Sequence, residues 1–590
     1  MTDSERAQKS YFGWNPQEDP EFAPLIYGSG TIGGKGRSLL FALRRLRDSN
    51  DTQMSSVKVP DSIYFGIDIF HRFLEAVPAL DALIASGDYE RLEKIFMGVP
   101  MPKIVTDAVR KFLADMHEPL VVRSSSRLED SPKHSFAGKY LSTFLSNSSP
   151  SLEERVLEVE NEIKKIYARV YFPAATSYRE KHALGNDDMG IIVIRLSGRW
   201  HGRYYYPTMA GVGYSQNFRR WCTNIKQEDG ILRIVFGLGT MSTKRGYART
   251  ISLTNPYLRP DGQNPDKIAF HAQERFHVID RGNPNELTTL DIKQKWRQLI
   301  DFHPDFDAYA QIYHYEAEGG FFSSLMKNTA QIENNTKICL TFENFPQKYP
   351  KFFERMKKML SLLESSMGLP ADIEFAYEPT DDSLCLIQSR PFWCHTSEEE
   401  SIPDLKGRHV LLQADRMVTP GFIDKISTIV YIDHNIYYKN PDFYKVARGI
   451  GELNANMPAD EKYILVAPGR VGSSNPERGV PVQYSELTKC RCIVELGIPR
   501  HGFMPELSYG THFFSDLAVD DVLYMPVFDG EVNNLIDERW FNESAWETGP
   551  HPAIRIYRGN FSAYMDGNTN HGFIVDNNAH TAVCGENAPV

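Results

Sequence analysis

Three short stretches of this chain concentrate groups able to hold a polyanion. The first is Ile32-Gly33-Gly34-Lys35-Gly36, placed just before a helical pattern. Glycines let backbone N–H groups approach an anion closely. A helix N-terminus adds partial positive charge, and Lys35 adds a full one. The spacing of a Walker A loop is absent. A glycine-rich turn with a solvated lysine would have the same sequence.

The second stretch is Val121-Val122-Arg123-Ser124-Ser125-Ser126, followed by Glu129-Asp130-Ser131-Pro132 and Ser135-Phe136-Ala137-Gly138. A strand-like run ends in an arginine and three hydroxyls before a loop of small residues. Arg123 could grip a phosphate oxygen in a fixed, charge-assisted geometry. A strand end with a surface arginine and a capping serine would have the same sequence, and taken locally it is the simpler reading. The third stretch pairs Ile373-Glu374-Phe375 with Leu386-Ile387-Gln388-Ser389-Arg390-Pro391. Two apolar runs a hairpin apart each carry a polar residue where alternation expects an inward one. Burying Glu374 beside Gln388 and Arg390 is costly without a partner. Oxygen ligands for Mg²⁺ beside a phosphate-binding guanidinium would justify it, and so would a buried Glu–Arg pair.

The elements that must position these groups read as mixed α/β. Ser38–Arg47 has Leu39, Leu43 and Leu46 on one helical face. Leu152–Val170 and Phe352–Met367 also read as helices. Ile191–Leu196, Ile231–Phe236, Ile373–Tyr377 and Leu384–Gln388 read as strands. A linker is expected over 395–404, where His395–Pro403 runs HTSEEESIP. Beyond it, apolar runs recur at Val410–Gln413, Ile429–Ile432, Tyr463–Val466, Cys492–Leu496 and Val522–Val527. That spacing suggests an α/β or α+β domain over 405–590.

The 590 residues carry 65 Lys+Arg against 76 Asp+Glu, a formal charge of −11. The length predicts about three to five structural units with ample apolar side chain for several cores. The acidic balance argues against a nucleic-acid partner, but not against ATP, which needs only a local basic pocket. No apolar run reaches the roughly 18 residues of a transmembrane helix, and MTDSERAQKSYFGW lacks the apolar stretch of a signal peptide. Seven cysteines form no CxxC pair. A cytoplasmic protein with reduced thiols and no membrane partner is expected.

Taken in order, the three stretches resemble the N-terminal nucleotide-binding region of the pyruvate phosphate dikinase and phosphoenolpyruvate synthase family. The shared pattern is Gly33–Gly36, Val122–Ser125, Phe136–Gly138, Gly237-Leu238-Gly239, Glu374 and Gln388–Pro391, from about Tyr27 to Phe392. The resemblance implies a two-lobed ATP-grasp-type region, one lobe over 1–190 and another over 191–394. It implies Lys35 and Arg123 on ATP phosphates, with Gly34, Ser124, Gly237 and Gly239 beside them. Glu374 and Gln388 would coordinate Mg²⁺, and Arg390 would contact the transferred phosphate. Ile191–Leu196 resembles the adenine-side strand, with Arg195 where the family usually has glutamine. The residues after the linker are too few for the family's pyruvate-binding barrel, which typically needs about 250. No intact GGxxSHxA motif occurs.

The C-terminal region is expected to be a possible phosphoryl-acceptor domain. Gly510-Thr511-His512 loosely resembles the family's phosphohistidine loop, and His512 could accept and pass on phosphate. A hydrogen-bonded core histidine beside Phe513 and Phe514 fits as well. Arg470, in Pro468–Ser474, could bind a second anion or simply close a strand-to-loop turn. His134 and His201 have no spacing that separates them from loop histidines. Cys490 and Cys492 read as core. The expected function is an ATP- and Mg²⁺-dependent phosphotransferase of dikinase type, with an unidentified small-molecule or protein acceptor. The alternatives are a direct kinase without a histidine relay and a non-catalytic ATP-binding module.

Overall fold

In the computed structural model the Leu39, Leu43 and Leu46 spacing becomes a helix, Gly33–Asp48 (α1), with all three leucines buried. The helix starts at Gly33 and not at Ser38, so the glycine–lysine stretch forms its first turn instead of preceding it. The structure describes residues 2–578 except 130–139, 141, 174, 177–178, 180–183, 218–226, 242–247, 260–263, 326–331, 334, 392–401, 404, 406–407, 440–441, 459–460, 474, 500–504, 506, 509–516, 518–521 and 568. The expected linker core, Phe136–Gly138, His134 and His512 lie outside the described residues. The chain divides into two compact units, Met1–Asn217 with Glu228–Trp393, and Phe218–Gln227 with Cys394–Val590.

In the first unit, β1 (Ile26–Tyr27), β2 (Ser62–Phe65), β3 (Leu120–Ser126), β4 (Ser142–Leu145) and β5 (Met189–Arg195) form a sheet in the order β1-β2-β5-β3-β4. Met189–Ile194 of β5 are all buried, because the strand is paired on both edges at the sheet centre. This explains its nearly continuous apolar run, which crosses the 190/191 division. A second, antiparallel sheet holds β6 (Met209–Tyr214), β7 (Ile231–Phe236), β8 (Arg249–Ser252), β9 (Ala371–Glu378) and β10 (Ser383–Pro391). Its order is β8-β7-β6-β9-β10. Helix α2 (Leu152–Arg169) starts on the Ser151 cap, and α3 (Pro350–Met367) ends on Gly368 in the left-handed conformation, which glycine adopts without strain.

Helix α1 packs on β3 and β5 of the first sheet and on β10 of the second. One continuous apolar core runs from Ile32, Leu39 and Leu43 through Ile192 and Ile194 to Phe375 and Leu386. Both sheets and α1 are therefore one packed body, as binary patterning with a shared core requires.

The second unit is a nine-stranded sheet with a parallel half and an antiparallel half. Strands 421–432, 463–468, 490–497 and 523–528 are parallel neighbours, and 554–566, 571–576 and 409–414 continue the sheet antiparallel. The short apolar runs of the sequence are these strands, and the helix Phe443–Asn456 lies in the crossover from 421–432 to 463–468. The chain is thus mixed α/β throughout. No helix of the described residues is long and apolar enough to cross a membrane.

Behind β7 the core closes over two imidazoles. His201 and His303 lie 4.6 Å apart between ring centroids with their planes tilted by 41°, and His303 Nε2 lies 3.1 Å from Tyr206 Oη. Burial lowers His201 to about 4, with a further push from the Arg199 charge. Burial lowers His303 to about 3, assisted by His201 and Arg199. Both are neutral in the folded protein and titrate near 6.5 when unfolded. The unfolded chain therefore binds more protons below that pH, so their stabilisation is complete above about 6.5 and is lost as the pH falls. Denaturant unfolding of the first unit should lose about 1.5 kcal/mol per histidine between pH 6.5 and pH 5. The variant His303→Gln should show a shallower decline, and a slope equal to the parent's would contradict this assignment.

Candidate functional site

Helix α1 has no side-chain cap of its own, since Ile32 occupies the N-cap position. The first turn of any helix leaves N–H groups without intrahelical partners. Here the cap comes from β3. Ser125 Oγ accepts the Gly36 N–H at 3.0 Å and donates to the Ile32 carbonyl at 2.7 Å, while Gly33 N–H donates to Thr31 Oγ1 at 3.1 Å. Gly33 has φ +79°, and a Cβ there would sit 1.6 Å from the Ser125 carbonyl oxygen. The glycines thus bring the helix start against β3, with Gly34 buried in that first turn.

Lys35 projects from the same turn to Glu129, Nζ to Oε1 at 2.6 Å, and to Ser124 Oγ at 3.3 Å. The Glu129 side chain is 2% exposed, and its Oε2 also accepts the Ser126 N–H at 2.8 Å. Ser124 Oγ lies 3.3 Å from Glu129 Oε1, so its hydroxyl belongs to this cluster. Removing one member of a buried ion pair leaves an uncompensated charge, at a cost of about 3–5 kcal/mol.

The hairpin of β9 and β10 supplies the other half. Glu374 stands directly opposite Gln388, and Asp372 directly opposite Arg390. Side chains two apart on a strand share a face, so these two cross-strand pairs lie side by side. Arg123 reaches this face from β3. Its Nη2 donates to Gln388 Oε1 and, at 3.3 Å, to Glu374 Oε2. Arg390 donates to Asp372 Oδ2 through Nε at 2.8 Å, with Nη2 at 2.7 Å.

This corrects the pairing read from sequence. The arginine on Glu374 is Arg123 from the other sheet, while Arg390 holds Asp372. Glu374 is also 40% exposed and is not the buried carboxylate that alternation suggested; Asp372 is. Burial pushes the Asp372 carboxyl upward, against the pull of the Arg390 guanidinium.

Asp372 and Glu129 had no role in the sequence reading. Asp372 was legible in principle, two residues before Glu374 and therefore on its face. Glu129 stands in a loop of small and polar residues, and its partner Lys35 lies far upstream, so no spacing pairs them.

The Gly237-Leu238-Gly239 turn follows β7 and rests against β9. Gly237 has φ +83° and donates its N–H to the Thr208 carbonyl at 3.4 Å. Buried Glu378 anchors Thr208, accepting its N–H at 2.8 Å and its hydroxyl at 2.7 Å. Arg195 ends β5 with its Nε on Asp61 Oδ2 at 3.0 Å. In the second unit, Arg470 is half-buried and opens the short strand Arg470–Val471, which pairs with Gly479–Val480, and Cys490 and Cys492 are buried in the large sheet.

The Glu374 carboxylate and the Gln388 carbonyl are hard oxygen donors one cross-strand step apart, converging on one guanidinium. Such oxygens suit Mg²⁺, which commonly takes one or two carboxylates and completes its shell with phosphate and water. Among the described residues no group of three or more His, Cys, Asp or Glu could hold a metal. A cation here would need oxygens from a ligand as well.

Residues 29–407, more than half the chain, match the family described as pyruvate phosphate dikinase, AMP/ATP-binding domain. The chain belongs to that family, whose domain is of the ATP-grasp type. Among individual proteins it is similar to a phosphoenolpyruvate synthase of Aeropyrum pernix, 23% identical over 341 residues, covering 54% of this chain and 36% of that protein. It is also similar to a phosphoenolpyruvate synthase of Deinococcus radiodurans, 28% identical over 177 residues, covering 27% and 21% respectively. The matches therefore span about a third or less of those relatives' length.

The Gly33 contact yields a stability test. Gly33→Ala forces a Cβ into backbone at a positive φ and should destabilise the first unit by about 2 kcal/mol or more in urea unfolding. At Gly36 a Cβ meets only side chains, at 3.1 Å or beyond. Gly36→Ala should stay within about 1 kcal/mol of the parent. Equal losses at the two positions would contradict the packing described.

Proposed function

We propose that the first unit binds Mg·ATP and acts as an ATP-dependent phosphotransferase of dikinase type. The observation that carries this reading is the convergence of Arg123 from one sheet on Glu374 and Gln388 of the other. It unites two stretches more than 200 residues apart into one oxygen-lined face that holds a guanidinium. Membership in an AMP/ATP-binding family supports the nucleotide as ligand.

Phosphoryl transfer asks the protein mainly for positioning and charge neutralisation. The first turn of α1, with Gly34 and Lys35, faces a phosphate chain with N–H groups and one ammonium. Arg123 and Ser124 continue that surface along β3. Arg390 meets the phosphoryl group in transit, its guanidinium kept in place by Asp372. Gly237 and Gly239 let backbone approach the nucleotide from the second sheet. Glu374 and Gln388 hold Mg²⁺, which when bound offsets negative charge on the phosphates.

In a dikinase reaction one ATP, one acceptor hydroxyl and one water become AMP, a phosphorylated acceptor and inorganic phosphate. The second unit is the candidate acceptor domain, with His512 as the candidate relay. The acceptor is a small molecule or a protein and not a nucleic acid. The site works in a reducing, cytoplasmic setting.

Incubating the full chain with ATP labelled separately at β and γ, with a panel of hydroxyl acceptors, tests this. The expected result is AMP, γ label in free phosphate, and β label on the acceptor or on an acid-labile protein site. His512→Ala should abolish the labelled protein. ADP retaining the β label would replace the dikinase by a direct kinase. Saturable binding without turnover would leave a non-catalytic module.

A further inference from the structure

Arg123 sits on the very oxygens assigned above to the divalent cation. Its Nη2 donates to both Gln388 Oε1 and Glu374 Oε2, and its Nη1 lies 3.5 Å from the Ile387 carbonyl. The Arg123 side chain is 12% exposed, so it is screened little by water, whereas the Glu374 side chain is 40% exposed. A divalent ion and a guanidinium on the same two oxygens repel each other, and most strongly where water is excluded.

We infer that Arg123 is a placeholder for the divalent cation, keeping Glu374 and Gln388 compensated until nucleotide arrives, then moving from them to the phosphates as the cation takes its place. The inference rests on the reading of Glu374 and Gln388 as cation ligands in an ATP site, and adds an order to its assembly. Nucleotide supplies both things the exchange needs. Its phosphate oxygens match the fork of the released guanidinium. They also furnish the extra oxygens that a single carboxylate and an amide cannot provide. Without nucleotide, the arginine has no better partner and the cation has too few ligands. The neighbouring pairs suit this assignment. Lys35 and Arg390 rest on Glu129 and Asp372, carboxylates that are 2% and 7% exposed, whereas Glu374 is the carboxylate a cation can reach from solvent.

Mn²⁺ binding to the full chain, followed by electron paramagnetic resonance without nucleotide, tests the exchange. The parent should bind Mn²⁺ weakly. Arg123→Met, similar in length but uncharged, should bind it at least about tenfold more tightly, the scale on which groups around a metal site alter affinity. Arg123→Met with Glu374→Gln should return to the parent's level. Arg123→Gln serves the same purpose should the methionine variant fail to fold. The same titration with a non-hydrolysable ATP analogue separates the two ideas. Loss of protein-bound Mn²⁺ on Glu374→Gln in that ternary complex, together with no gain in Arg123→Met or Arg123→Gln alone, would overturn the exchange and leave the cation site standing. A ternary complex indifferent to Glu374→Gln would overturn the underlying reading and the exchange with it.

Discussion

Three cations drawn away from bulk water must each have a carboxylate, and much of the first unit is arranged to supply them. Lys35 has Glu129, Arg123 has Glu374 together with the Gln388 carbonyl, and Arg390 has Asp372. Isolated charges at such exposures would be expensive, and paired ones are tolerated only with good geometry. The pairs are also what a phosphate chain would have to engage or displace. A site built this way stores its positive charge in neutralised form and can offer it to an anion without first folding around it.

The constraint reaches into the scaffold. Helix α1 can start against β3 only because Gly33 tolerates a positive φ with no Cβ, and because Ser125 caps the helix from outside. Arg123 can meet the β9–β10 hairpin only because α1 packs on both sheets and one apolar core joins them. Behind the hairpin, Glu378 and Thr208 hold the Gly237 turn, and the neutral imidazoles of His201 and His303 fill the space beyond. The charged surface and the apolar core are two sides of the same strands.

Much of this was legible in the sequence where the signal was local. The leucine spacing of α1, the apolar run of β5 and the two apolar runs of the β9–β10 hairpin follow from periodicity, whereas the pairing of Glu374 with Gln388 depends on an irregularity after Glu374 that no spacing announces. What failed was partner choice. Nothing in spacing says that Glu374 takes an arginine from residue 123 or that Asp372 claims Arg390, because both are settled by packing between distant segments. The exposure of Glu374 was misjudged for a related reason: a strand's inward face is defined by what covers it. In the second unit a buried carboxylate shows the same limit. Glu495 lies in an apolar strand and is satisfied by the Val471 and Ser508 N–H groups and the Ser508 and Tyr524 hydroxyls, at 2.5–2.8 Å. Burial pushes its carboxyl upward.

The central claim is that Lys35, Arg123 and Arg390 form one phosphate site. A crystal structure of the full chain with Mg²⁺ and a non-hydrolysable ATP analogue tests it most directly. The account predicts phosphate oxygens at about 3 Å from all three side chains, with Arg123 off Glu374 and Gln388. A nucleotide bound elsewhere, or one touching the first turn of α1 while Arg123 stays on Glu374 and Gln388 and no phosphate oxygen reaches Arg390, would contradict it.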